Sequence, residues 1–121
     1  MTHEILAALA LLMVHIWLLP MILNLSNATW LLGNRDDPVE FSVLTQRAKR
    51  AAANFMETAP VFLTLAILAS IQQVDVAELA MYWLGLRVVY LILYVAGVAY
   101  VRSLVWMAAL VVLAMMAMAL M

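Results

Sequence analysis

Apolar residues fill four long stretches of the chain, and polar residues gather in the breaks between them. The stretches run over about residues 5–25, 51–71, 77–98 and 103–121. A bilayer-spanning helix needs about 20 predominantly apolar residues. Each stretch meets that length, so each is predicted to be a transmembrane helix. The break at Gln72-Gln73-Val74-Asp75 is short, and so is the one around Tyr100 and Arg102. Short connections force antiparallel neighbours. The expected fold is therefore all-α: an integral membrane up-down four-helix bundle, forming one domain over residues 1–121.

The first break, residues 26–50, is the long one. Within it Asp37-Pro38-Val39-Glu40 reads as an N-cap, a Pro at the first helical position and a capping Glu. The second helix is thus expected to begin before the membrane, with polar first turns in the headgroup layer. Four of the six basic residues lie in this break: Arg35, Arg47, Lys49 and Arg50. Arg102 sits at the next connection on the same side. The other side carries His3, Glu4, Asp75 and Glu78 and no Lys or Arg. By the positive-inside rule, the long loop should be cytoplasmic and both termini extracytoplasmic.

Composition strengthens the membrane reading and narrows the chemistry. Hydrophobic residues make up 69% of the 121 and charged residues 11%, against about half and about a quarter in a soluble domain. The excess apolar surface needs lipid as its partner. A net charge of −1 offers no basic face for nucleic acid. Without cysteine, thiolate metal sites and cysteine nucleophiles are excluded. His3 and His15 are too far apart in sequence to suggest a metal site, and none is expected. The first four residues contain no Lys or Arg, which a secretory signal would need, so the first stretch is read as a retained helix. The fourth stretch has no polar residue after Trp106 and should face lipid or pack. Trp17, Trp30, Trp83 and Trp106 fit interfacial anchors or packing residues.

Some polar residues lie where membrane energetics disfavour them. A charge at bilayer depth costs about 2.5–3.5 kcal/mol on insertion scales, and it tends to mark function or a buried pair. On the second helix Arg50, Asn54 and Glu57 follow at i, i+4 and i+7, which places them on one face. The alanines at 51–53 would let another helix come close. Pro60 frees the carbonyl of Met56 beside Glu57. This face could be a buried ion pair that fixes packing or a polar pocket; spacing allows both. On the third helix Arg87, Tyr90 and Tyr94 share a face at i, i+3 and i+7. Arg87 needs an anion, and Glu57 is the best-placed carboxylate, so Glu57 is expected to be buried and paired with Arg87 or Arg50. With Arg102 these groups would form an electropositive site suited to a small anionic ligand that also carries an amine.

These motifs resemble the MAPEG superfamily, the membrane-associated proteins in eicosanoid and glutathione metabolism. The resemblance rests on Arg50-x-x-x-Asn54-x-x-Glu57-x-x-Pro60, supported by Arg87-x-x-Tyr90-x-x-x-Tyr94 and by Arg102. It covers nearly the whole chain, and the run Asn54 to Phe62 looks like the bacterial branch. The chain departs from some animal members at Ala52, where they carry His. The resemblance implies a homotrimer, a bacterial inner-membrane location and glutathione as co-substrate, bound between subunits at the membrane's polar edge. It implies that Arg50, Asn54 and Glu57 hold glutathione, with Glu57 on its ammonium. Arg87, Tyr90 and Tyr94 would contribute from the neighbouring subunit. Arg102 would stabilise the thiolate as the catalytic residue, with Tyr94 as a second candidate.

The function so implied is a glutathione-dependent transferase or peroxidase acting on lipophilic electrophiles or hydroperoxides. Those substrates would arrive from the bilayer past apolar neighbours such as Leu91, Val98 and Trp106. The alternative is a non-enzymatic structural or accessory subunit of a membrane assembly, with the same polar residues serving as interface contacts. A channel fits poorly, because the polar residues cluster toward one leaflet rather than along a path.

Overall fold

The computed structural model describes residues 1–23, 25, 32–34 and 41–121. Among the described residues there is no strand, and four helices are long and apolar enough to cross a membrane. They are α1 (Thr2–Leu23), α2 (Val43–Gln72), α3 (Ala77–Ala96) and α4 (Tyr100–Ala119). Their up-down order brings Glu4, Asp75 and Glu78 to one end of the bundle. Arg47, Lys49, Arg50 and Arg102 come to the other, called the basic end below.

Three of the helix boundaries have a clear local cause. Ser42 caps α2: its Oγ accepts from the Thr45 N–H at 3.1 Å, a hydrogen bond that satisfies one of the free donors of the first turn. The Thr45 hydroxyl in turn donates to the Leu23 carbonyl at 3.0 Å, tying the start of α2 to the end of α1. The expected cap at Asp37 lies outside the described residues, and Ser42 is the cap observed. The 30-residue α2 is about 45 Å long at 1.5 Å per residue. The hydrocarbon core is only about 30 Å thick, so the helix overhangs it. The overhang accounts for the charged first turns of α2.

At its far end α2 closes through Gln73, in the left-handed region at φ 57°. The Val74 N–H reaches the Ala69 carbonyl at 2.9 Å. Gly97 closes α3 in the same way at φ 83°, with the Val98 N–H on the Leu93 carbonyl at 3.0 Å. Both are Schellman closures. The α3–α4 connection is therefore only residues 97–99. Tyr100 and Arg102, expected in that connection, instead belong to the first turn of α4, which gives Arg102 a defined direction.

α1 contains a π-helical turn at Val14–Leu18. Its wider winding is seen in the Leu19 N–H, which reaches back five residues to the Val14 carbonyl. Such turns occur mostly as local bulges within α-helices. Here the bulge stands just ahead of Pro20, which has no N–H to offer the preceding turn. His15, in this turn, lies on the same helix face as the buried Ala8 seven residues earlier; its ring is fully buried and its Nδ1 lies 2.8 Å from the Leu11 carbonyl.

The core is a column of rings set among alanines. His15 stacks on Phe55 (centroids 4.3 Å apart), Phe55 lies tilted against Trp83 at 5.7 Å, and Trp83 stacks on Phe62 at 4.2 Å. Ala59, Ala66, Ala69 and Ala80 surround the lower part of this column. Small residues let helix backbones approach where lipid supplies no hydrophobic drive to associate. Trp83 is thus a core residue. Trp106 is half-buried and Trp17 faces outward; Trp30 lies outside the described residues.

Candidate functional site

Five of the seven expected site residues form one row inside the chain. The row starts on α2, where Asn54 Oδ1 accepts from Arg87 Nη2 at 2.8 Å. The Arg87 guanidinium, 1% exposed, lies over the Tyr90 ring at 4.4 Å. Tyr90 meets Tyr94 edge-on, with centroids 5.6 Å apart. The Tyr94 ring then carries the Arg102 guanidinium at 4.3 Å. The i, i+3, i+7 spacing of Arg87, Tyr90 and Tyr94 makes this possible, because it stacks the three side chains along one face of α3. Arg102 closes the row at the basic end, because Gly97 turns the chain so tightly that α4 begins beside Tyr94.

Cation–π contacts explain how two guanidinium groups can sit in an apolar bundle. An Arg over an aromatic face is held by the ring's quadrupole, and more strongly where water is excluded. Arg87 also lies 5.4 Å from the Phe55 centroid. Its Nε and the ring Nε2 of His15 are buried without a hydrogen-bond partner among the described residues. The Nε1 atoms of Trp83 and Trp106 are likewise buried and unpartnered.

Arg50 and Glu57 lie outside the row. Both are exposed on α2, and neither has an ion-pair partner among the described residues. The one ion pair there joins the Met1 amino group to Glu4 at 3.7 Å. The expected burial and pairing of Glu57 are therefore not realised within the chain. The cause is rotational. At 100° per residue, Asn54 and Glu57 differ by about 60° around the helix. Asn54 turns toward α3 and takes Arg87, while Glu57 turns outward.

The resemblance implied that Arg87, Tyr90 and Tyr94 would contribute from a neighbouring subunit; within one chain α2 and α3 are antiparallel neighbours, and Asn54 meets Arg87 there. Leu91, one residue past Tyr90, turns to the other side of α3 and lines a groove with Val14 and Leu19 of α1.

Two polar residues of this region were not singled out as site candidates from sequence. His15 shares a helix face with the buried Ala8, but its ring partner Phe55 on α2 could not be read from spacing. Arg47 donates from Nη1 to the Val95 carbonyl at 3.2 Å. Its i, i+3 relation to Leu44 and Arg50 was visible, but its partner across the bundle was not.

A family model for MAPEG matches residues 4–121, essentially the full chain. The chain belongs to the MAPEG family. No curated protein and no solved structure matches it. In this MAPEG protein the motif residues on α2, α3 and α4 converge on the basic end of the bundle. The row they form holds two cations, two phenols and an amide, with an exposed Arg and an exposed carboxylate on the adjoining helix face.

Proposed function

We propose that this MAPEG protein is a membrane-bound glutathione-dependent transferase or peroxidase that acts on lipophilic electrophiles or hydroperoxides. The observation that carries the reading is the Arg102 guanidinium held over the Tyr94 ring at 4.3 Å, at the membrane edge where a polar thiol can enter. A free thiol titrates near about 8.5 and its thiolate is the nucleophile. A fixed guanidinium favours the anion, and partial exclusion of water strengthens the effect. The thiolate sulfur attacks the electrophilic carbon of a substrate arriving from the bilayer past Val98 and Trp106. The bond to the leaving group breaks with its electron pair. Holding both reactants in place supplies the proximity. The Tyr94 hydroxyl is a second donor for the sulfur.

In this reading Arg50 and Asn54 bind glutathione carboxylate and amide groups, and Glu57 takes its ammonium. Arg87 acts as a positioning residue that orients Asn54 and Tyr90. The exposure of Glu57, deeper along α2 than the charged first turns, supports assembly into a homotrimer. Charges on the outer face of a spanning helix need a neighbouring subunit or a ligand to satisfy them, and trimers close through heterologous contacts.

The test is ultraviolet difference spectroscopy of the purified protein on adding glutathione, with its mass measured in the same mild detergent. A thiolate band that Arg102→Ala removes, in a particle of three subunits, is the expected result. Arg50→Ala should mainly raise the glutathione concentration needed. A wild-type protein with no thiolate band and no calorimetric binding of glutathione would leave the structural-subunit reading in its place. A monomer would remove the shared site.

A further inference from the structure

We propose that the groove between α1 and α3 at the basic end is a binding site for an anionic phospholipid of the phosphatidylglycerol type. One acyl chain would lie in the groove, with its phosphate on Arg47. The groove encloses about 400 Å³ and its lining is aliphatic. Val14 and Leu19 of α1 form one wall, Ile92 and Val95 of α3 the other, and Leu44 of α2 stands at the mouth. Leu44 and Ile92 are exposed, so the groove opens sideways toward lipid.

Arg47 does not line the groove itself but is bonded to one of its wall residues. Leu44 and Arg47 are at i, i+3 and therefore on one face of α2. The half-buried Arg47 donates to the carbonyl of Val95, itself a wall residue. Its guanidinium rests against Gly97: a Cβ built there would lie 2.8 Å from Nη1 and 2.9 Å from Cζ. Arg47 thus covers the C-terminus of α3, where free carbonyls give a partial negative charge. That contact uses one of its five N–H donors. No carboxylate pairs with it among the described residues.

A cation with spare donors above an aliphatic groove matches an amphiphile with an anionic head. Arg47 favours a net negative headgroup over a zwitterionic one, because the ammonium of a choline or ethanolamine group, only a few bonds from the phosphate, would meet the same guanidinium as like charge. Basic pockets between transmembrane helices recognise anionic headgroups in this way. A free phosphate would engage Arg47 but leave the groove unfilled. The site is separate from the glutathione reading: Leu91 and Val95 turn away from Tyr90 and Tyr94, to the α1 side of α3.

The experiment is native mass spectrometry of delipidated protein given phosphatidylglycerol or phosphatidylcholine with identical acyl chains. Glycerol phosphate serves as the tail-less competitor. Phosphatidylglycerol should be retained about five- to tenfold better, the worth of one charge at a membrane surface. Arg47→Gln should abolish that preference and Arg47→Lys should keep it. Ile92→Trp, at an exposed position where folding is not at risk, should fill the groove and lower retention of both lipids. Lys49→Gln should leave the preference unchanged, and glycerol phosphate should not compete. Equal retention of the two lipids by the wild type would overturn the proposal. So would a preference that survives Arg47→Gln, full retention by Ile92→Trp, loss of the preference on Lys49→Gln, or displacement by glycerol phosphate. If Arg47→Gln does not fold, the Ile92→Trp and Lys49→Gln results decide.

Discussion

The interface between α2 and α3 has two halves built on different physics. Toward the termini, Phe62 and Trp83 stack face to face at 4.2 Å among alanines that are almost wholly buried. Toward the basic end, the same two helices meet through Asn54 and Arg87, and the contact continues as Tyr90, Tyr94 and Arg102. In the first half, among the described residues, the one unpartnered polar atom of the Phe62–Trp83 stack is the Trp83 Nε1. The second leaves the Arg87 Nε buried without a hydrogen-bond partner among the described residues. Phe55 belongs to both, since it touches His15, Trp83 and Arg87. The difference teaches where stability resides: close packing holds the pair of helices together, and the polar row is carried by that packing.

Truncating the ring column should have the largest effect. In a soluble core a Trp→Ala change costs roughly 3–5 kcal/mol. Part of that figure is transfer from water, which lipid does not supply. Trp83→Ala should therefore fall near the lower end, read as a loss of about 3 kcal/mol in reversible unfolding in mixed micelles. Little change would mean that the alanine contacts alone hold α2 to α3.

Asn54→Leu should cost less, because it removes a hydrogen bond and not a large contact surface. Bonds to charged groups are worth about 1.5–3 kcal/mol, and Arg87 keeps its contact with Tyr90 afterwards. The same unfolding assay should return a loss of about 2 kcal/mol. Glutathione binding should fall much further than for Trp83→Ala at a temperature where both variants are folded. A larger stability loss than Trp83→Ala would reverse the comparison and make the polar row the structural half.

Gly97→Ala should have the smallest effect, on the order of 1 kcal/mol. Its φ of 83° strains any side chain, and the new Cβ would displace the Arg47 guanidinium. Because the Gly97 turn sets the start of α4, Arg102 should shift against Tyr94. The thiolate band is then expected to weaken while overall stability changes little. An unchanged band would show that the position of Arg102 does not depend on this turn.

The sequence by itself determined the four spans, their antiparallel order and the end of the bundle that gathers the basic residues. Those follow from run lengths, short connections and charge asymmetry, which are local properties of the chain. It also determined that Arg50, Asn54 and Glu57 share one helix face and that Arg87, Tyr90 and Tyr94 share another, because helical periodicity is local too. It could not say which groups on the two faces would touch. Glu57 was the natural partner for Arg87 by charge, yet the rotation of α2 against α3 gives that place to Asn54. Three further choices depend on contacts between residues distant in sequence. His15 stacks on Phe55, 40 residues away in the chain. The Schellman closure at Gly97 sets Arg102 over Tyr94, and Arg47 reaches across the bundle to Val95. Periodicity decides which residues lie side by side on one helix; only the packing of one helix on another decides which of them meet.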